Sequence, residues 1–108
     1  MPRLLQVNSL LHKNISQIMA ERIEVPQNSL ITVTRVACGA DLKEARVFVS
    51  ILPFAKAEEG LAFLFRKRNE IQKLLGQTLK MKFTPKILFF LDDTEETASQ
   101  IYSELDKL

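Results

Sequence analysis

Two runs of alternating residues, eight positions apart, constrain the fold of this chain more than any other feature. From Leu30 to Val36, Ile31 and Val33 point one way while Thr32 and Thr34 point the other. From Ala45 to Ile51, Val47, Val49 and Ile51 oppose Arg46, Phe48 and Ser50. Side chains of a strand alternate between faces, so this patterning with β-branched residues predicts two half-buried strands. The connection, Cys38-Gly39-Ala40-Asp41-Leu42, reads as a turn, and the simplest pairing is antiparallel. Pro53 closes the second strand.

Helical periodicity surrounds this pair. Leu4, Val7, Leu11, Ile15, Ile18 and Met19 form one stripe from about Pro2 to Glu21, ended by Val25-Pro26-Gln27-Asn28-Ser29. Ala57 to Arg68 reads as a helix with Leu61, Leu64 and Phe65 buried, although Gly60 weakens it by roughly 1 kcal/mol relative to Ala. Glu70 to Leu79 places Ile71, Leu74, Leu75 and Leu79 on one face, with Lys73, Gln77 and Lys80 opposite. The two stripes are slightly out of phase. Asn69 stands between them and tolerates a left-handed backbone, so a kink is expected there. Thr84-Pro85 ends the segment, Ile87 to Leu91 reads as a short apolar strand, and Asp93-Thr94-Glu95-Glu96 reads as the start of a last helix. The expected order is α-β-β-α-α-β-α.

Length and composition set the class. A chain of 108 residues is one domain's worth, 46% hydrophobic and 26% charged, as in an ordinary globular protein. One cysteine, Cys38, excludes an internal disulfide and fits a reducing compartment. Apolar runs stay far short of the roughly 18 residues that span a bilayer, and Gln6, Asn8 and Ser9 interrupt any signal-peptide layout. A cytoplasmic protein with no membrane partner is the expectation.

The net charge of +2 hides a dipole. Between Arg66 and Leu91 stand Arg66, Lys67, Arg68, Lys73, Lys80, Lys82 and Lys86, against Glu70. From Asp92 onward stand Asp92, Asp93, Glu95, Glu96, Glu104 and Asp106, against Lys107. A local basic excess of this size is a footprint for a polyanion; the plainer reading is that the two segments neutralise each other in the fold.

Chemistry-bearing residues are scarce. The one histidine, His12, falls in the first helix and reads as a surface residue, and Cys38 has neither histidine nor acid beside it in sequence. Asp92-Asp93 with Glu95-Glu96 could hold a hard cation, but capping and the helix dipole already explain carboxylates at a helix start. There is no Walker loop, zinc spacing or nucleophile elbow. The expectation is a non-enzyme without catalytic residues, cofactor or metal.

Ile31-Thr32-Val33-Thr34-Arg35-Val36, followed by Asp41-Leu42-Lys43-Glu44-Ala45-Arg46-Val47-Phe48-Val49-Ser50, resembles the ribosome-binding factor A family. Val7-Asn8-Ser9-Leu10-Leu11 with Ile15-Ser16-Gln17-Ile18 resembles the family's first helix, and Leu75-Gly76, Leu79, Pro85, Phe89 and Asp92 follow its downstream spacing. The likeness covers essentially the whole chain. It implies an α+β fold: one type II KH-like ribosome-binding domain over residues 1–108, an α-β-β-α-α-β core with a C-terminal helix and a three-stranded sheet covered by helices. It implies a monomeric bacterial factor that binds the small ribosomal subunit and its rRNA late in assembly, assists rRNA processing, especially in the cold, and is released, with a ribosome-associated GTPase as a further expected partner. The nucleotide-clamping Gly-x-x-Gly loop of ordinary KH domains is missing, since the glycines are Gly39, Gly60 and Gly76. The family instead carries a helix–kink–helix marked by Ala-x-Gly, and the corresponding positions here are Lys67-Arg68-Asn69.

The expected RNA contact is therefore a strip of Arg66, Lys67, Arg68, Asn69, Lys73, Lys80 and Lys82, with Arg35, Lys43 and Arg46 as a second contact on the hairpin. Phe48, Leu88 and Phe90 share the sheet face away from the helices, either as a base-stacking platform or, the reading favoured by sequence, packed under the last helix or in the core. The competing class is a protein–protein adaptor that docks through a sheet edge or the acidic C-terminal helix.

Overall fold

The computed structural model describes residues 3–79 and 83–92. Helix α1 (Arg3–Glu21) leads to strands β1 (Leu30–Cys38) and β2 (Glu44–Leu52). A 3-10 turn, Phe54–Lys56, then enters α2 (Ala57–Thr78), and β3 (Lys86–Leu91) follows. The sheet has the order β1-β2-β3, with β1 antiparallel and β3 parallel to β2. Parallel strands need a crossover, and α2 provides it.

Both helices cover the same face of the sheet. Leu11, Ile15, Ile18 and Met19 of α1 and Phe63, Leu64, Ile71 and Leu75 of α2 meet Val33, Val36, Val47, Val49, Ile51, Ile87 and Phe89 from the strands. Alternation on β2 follows the expected faces. On β1 it does not run through: strict alternation from Ile31 and Val33 would carry Arg35 into the core. A register shift between Val33 and Arg35 inserts one residue, so the next buried positions are Val36 and Cys38 and Arg35 faces out.

The left-handed Asn69 on which the expected kink rested is not found. Residues 57–78 form one unbroken helix in which Asn69 is right-handed. The apparent phase error came from placing Phe65 in the core: Phe65 is 55% exposed, while Phe63 is 6% exposed. The buried set Ala57, Gly60, Leu64, Ile71 and Leu75 keeps a 3.6-residue period across Asn69. Gly60 explains its own presence. A Cβ there would lie 2.9 Å from both Cδ1 and Cγ2 of Ile51, so the missing side chain lets α2 sit down on β2. Among the described residues, those outside glycine with a left-handed backbone are Asn28, in the turn before β1, and Leu42, in the β1–β2 turn.

The outer edges of the sheet are tied to the helices by polar side chains. The amide N–H of Cys38 donates to Asn8 Oδ1 at 2.8 Å, and His12 Nε2 donates to the Val33 carbonyl at 2.9 Å. On the far edge, Gln72 accepts from the Ile87 N–H at 2.9 Å and donates to the Pro85 carbonyl at 2.8 Å. Backbone groups that β2 cannot reach thus find partners on α1 and α2. His12, expected as a mere surface residue, holds the bulge in place. The last helix expected from residue 93 onward lies outside the described residues.

Candidate nucleic-acid interface

An α-helix advances about 100° per residue, so three consecutive cations cannot share a face. On α2 the core stripe runs through Leu64, Ile71 and Leu75. Arg66 lies on the opposite side, and seven residues on, two turns along, Lys73 lies almost directly above it, with exposed Asn69 and Gln77 beside the same line. Lys67 and Arg68 flank the core stripe on either side and are half-buried. The expected strip is thereby divided: Arg66, Asn69 and Lys73 are brought together on the outward face, and Lys67 and Arg68 are turned away from it and from each other.

Carboxylates thin the helical cations further. Lys67 Nζ lies 3.6 Å from Glu70 on the next turn, an exposed ion pair. Such a pair contributes little to stability, but it removes Lys67 from the free positive charge. Glu58 and Glu59 sit in the first turn of α2, where the helix dipole favours acids, so the helix becomes basic only along its second half. Lys80 and Lys82 lie outside the described residues.

Lys43 and Arg46 line a depression at the β1–β2 turn together with Asp41 and Glu44. Arg35 stands further along the ladder, on the same outward face as Arg46. It pairs with Phe48 across the ladder, and its guanidinium carbon lies 3.9 Å from the centre of the Phe48 ring. Phe48 in turn pairs with Phe90 on β3, with ring centroids 5.7 Å apart and planes tilted by 30°. This Arg35–Phe48–Phe90 row crosses the face opposite the helices. Phe90 is 42% exposed and Phe48 and Leu88 are half-buried, so none of the three belongs to the core between sheet and helices. What brought Arg35 to the row is the bulge in β1, which no sequence pattern announces.

The nucleophile-bearing residues are engaged otherwise. Burial, reinforced by the nearby Asp41 carboxylate, raises the Cys38 thiol above its ordinary pKa, which disfavours the reactive thiolate. The imidazole of His12 is held by the Val33 carbonyl. Asp92 is buried, and its N–H donates to the Val49 carbonyl at 2.8 Å. Among the described residues no three histidine, cysteine or acidic side chains gather as a metal site, and no helix is long and apolar enough to cross a membrane. What the surface offers is cations and aromatic rings, the means of binding a polyanion.

Known proteins share this fold. Ribosome-binding factor A of Thermus thermophilus, solved by crystallography, superposes with a TM-score of 0.73 at 22% identity, covering 82% of this chain and 93% of that one. A homology model of the Thermus thermophilus factor, fitted into a cryo-electron-microscopy map of a complex with the 30S subunit, gives a TM-score of 0.66 at 20% identity over 81% and 92% of the two chains. Likeness at these identities establishes the α+β, KH-like fold. In sequence, the ribosome-binding factor A of Bdellovibrio bacteriovorus is 35% identical over 107 residues, spanning 98% of this chain and 80% of the relative. Since the family model for ribosome-binding factor A also matches residues 3–105, the chain belongs to the ribosome-binding factor A family.

Proposed function

We propose that this chain is a non-catalytic assembly factor that binds the small ribosomal subunit and its rRNA during late maturation and assists processing of that rRNA, most of all in the cold. It acts as a cytoplasmic monomer, and a ribosome-associated GTPase promotes its release. The observation that carries the reading is the family membership together with the Thermus thermophilus relative's fit into a 30S complex. Exposed Arg66 and Lys73 on one face of α2 support it, because phosphate neutralisation requires cations that solvent reaches.

The adaptor reading loses support at the sheet edges. Docking by strand addition needs a row of unpaired backbone groups. Along β1 the groups at Val33 and Cys38 are taken by α1, and at the start of β3 Gln72 takes the groups of Pro85 and Ile87. The test is cosedimentation of the full chain with free small subunits and with complete ribosomes across a salt series. Retention on free subunits that falls steeply with salt is expected. Retention indifferent to salt, or equal on complete ribosomes, would overturn the reading.

A further inference from the structure

We propose that the open face of the sheet is a second RNA-binding site, a seat for an unpaired base that stacks on Phe90 while Arg35, Arg46 and Lys86 meet the flanking phosphates. The inference rests on the RNA-binding reading above and adds a ligand class to it: single-stranded RNA rather than duplex.

Three observations converge on that ligand. First, among the described residues the rings lie outside the core between sheet and helices. Phe89 is 3% exposed against the helices, whereas its neighbour Phe90 is 42% exposed on the other face, half-open to solvent. Second, the rings are arranged as a surface. Phe48 and Phe90 are direct partners on neighbouring strands, and Arg35 already covers Phe48 as a flat cation would. Phe90 is the ring left for a further planar group. Third, the surroundings are positive. Alternation puts Arg46 and Lys86 on this face and the bulge in β1 adds Arg35, all three exposed, with Glu44 at the rim, where it pairs in register with Lys86.

Apolar partners fit poorly against three cations, and an acidic peptide brings no planar group to stack. A nucleic-acid strand with splayed bases supplies both rings and phosphates, and base–aromatic stacking is tolerant of sequence. A duplex keeps its bases stacked inside and could use only the cations. The site therefore discriminates by strandedness.

The test uses the full chain, a fluorescein-labelled single-stranded oligoadenylate, and an RNA hairpin with the same number of phosphates whose fully paired stem is closed by a non-nucleotide linker, so that it holds no unpaired base. Phe90→Ala should weaken single-strand binding about tenfold, leave hairpin binding unchanged, and leave the salt slope as it was. Phe90→Trp should bind the single strand at least as well as the parent. Arg46→Glu should lower the salt slope for both probes by about one. Because Phe90 is half-exposed, thermal unfolding of Phe90→Ala should shift little. Equal single-strand affinity of Phe90→Ala and the parent overturns the proposal. So does an unfolding loss typical of a core phenylalanine, since the chain itself would then occupy the face. A dimer that Phe90→Ala returns to monomer also overturns it, a second copy being the occupant. If the parent binds the hairpin and small subunits but shows no Phe90-dependent gain for single strands, the sheet-face site fails while the assembly-factor reading stands. If the parent binds neither RNA nor subunits, both fail.

Discussion

The outward face of α2 and the open face of the sheet hold similar numbers of cations and organise them in opposite ways. Arg66, Lys67 and Arg68 are adjacent in sequence, and the helix fans them around its axis, so that only Arg66 joins Lys73. Arg35, Arg46 and Lys86 come from three strands, and the ladder brings them to one face beside Phe48 and Phe90. Closeness in sequence disperses charge on a helix, and register gathers it on a sheet. A run of bases is therefore a poor guide to a binding surface unless its secondary structure is known.

Charge reversal gives the largest expected effect and the most direct way to break that comparison. Arg66→Glu with Lys73→Glu should weaken retention on small subunits by about tenfold or more and reduce the salt slope by about two, one per lost phosphate contact. Lys67→Glu, a change at a position turned from that face and already paired with Glu70, should cost far less. Equal losses for Lys67→Glu and Arg66→Glu in cosedimentation would show that the helix presents its cations all round, and the division drawn above would be wrong.

A smaller effect follows from loosening the helix instead of its charges. Gln72→Ala leaves the Ile87 N–H and the Pro85 carbonyl without their side-chain partner and should cost about 2 kcal/mol in urea unfolding. Since Gln72 joins α2 to β3, this variant should disturb both faces together, and a loss of subunit retention confined to one of them would sharpen the comparison. Gly60→Ala comes next. Overpacking against Ile51 outweighs the gain in helix propensity, for a net loss of about 1 kcal/mol. In a double-mutant cycle with Ile51→Ala, which removes both contacting carbons, Gly60→Ala should no longer cost stability; if it still does, the close approach of α2 to β2 is not the reason for the glycine.

The smallest effect is chemical. The raised pKa of Cys38 means that a smaller fraction is thiolate at any given pH, so reactivity still rises with pH but levels off only above the ordinary cysteine range. Alkylation by iodoacetamide at pH 8 should therefore run several-fold slower than for a free thiol. Fast modification would place Cys38 at the surface and undo the tie between α1 and the end of β1.

Much of the architecture was legible before any coordinates. The stripe Leu11, Ile15, Ile18 and Met19 on α1 is buried as its spacing demands, and Val47, Val49 and Ile51 face the core as their alternation demands. These patterns are local, and burial on one face enforces them along the whole element. The family, too, could be read from the two strand motifs. The choice of Phe63 over Phe65, the continuity of α2 through Asn69 and the outward turn of Arg35 were not legible. Each depends on which of two nearly equivalent faces meets a neighbour, and that neighbour lies far away in sequence.

The amino-acid sequence by itself determined the two paired strands, the buried stripe of α1, the core face of β2 and the family. Only the tertiary structure decided which cations share a surface, because one inserted residue in β1 and the unbroken winding of α2 set the direction of every side chain beyond them. Periodicity states the spacing of a pattern; packing against another element sets its phase.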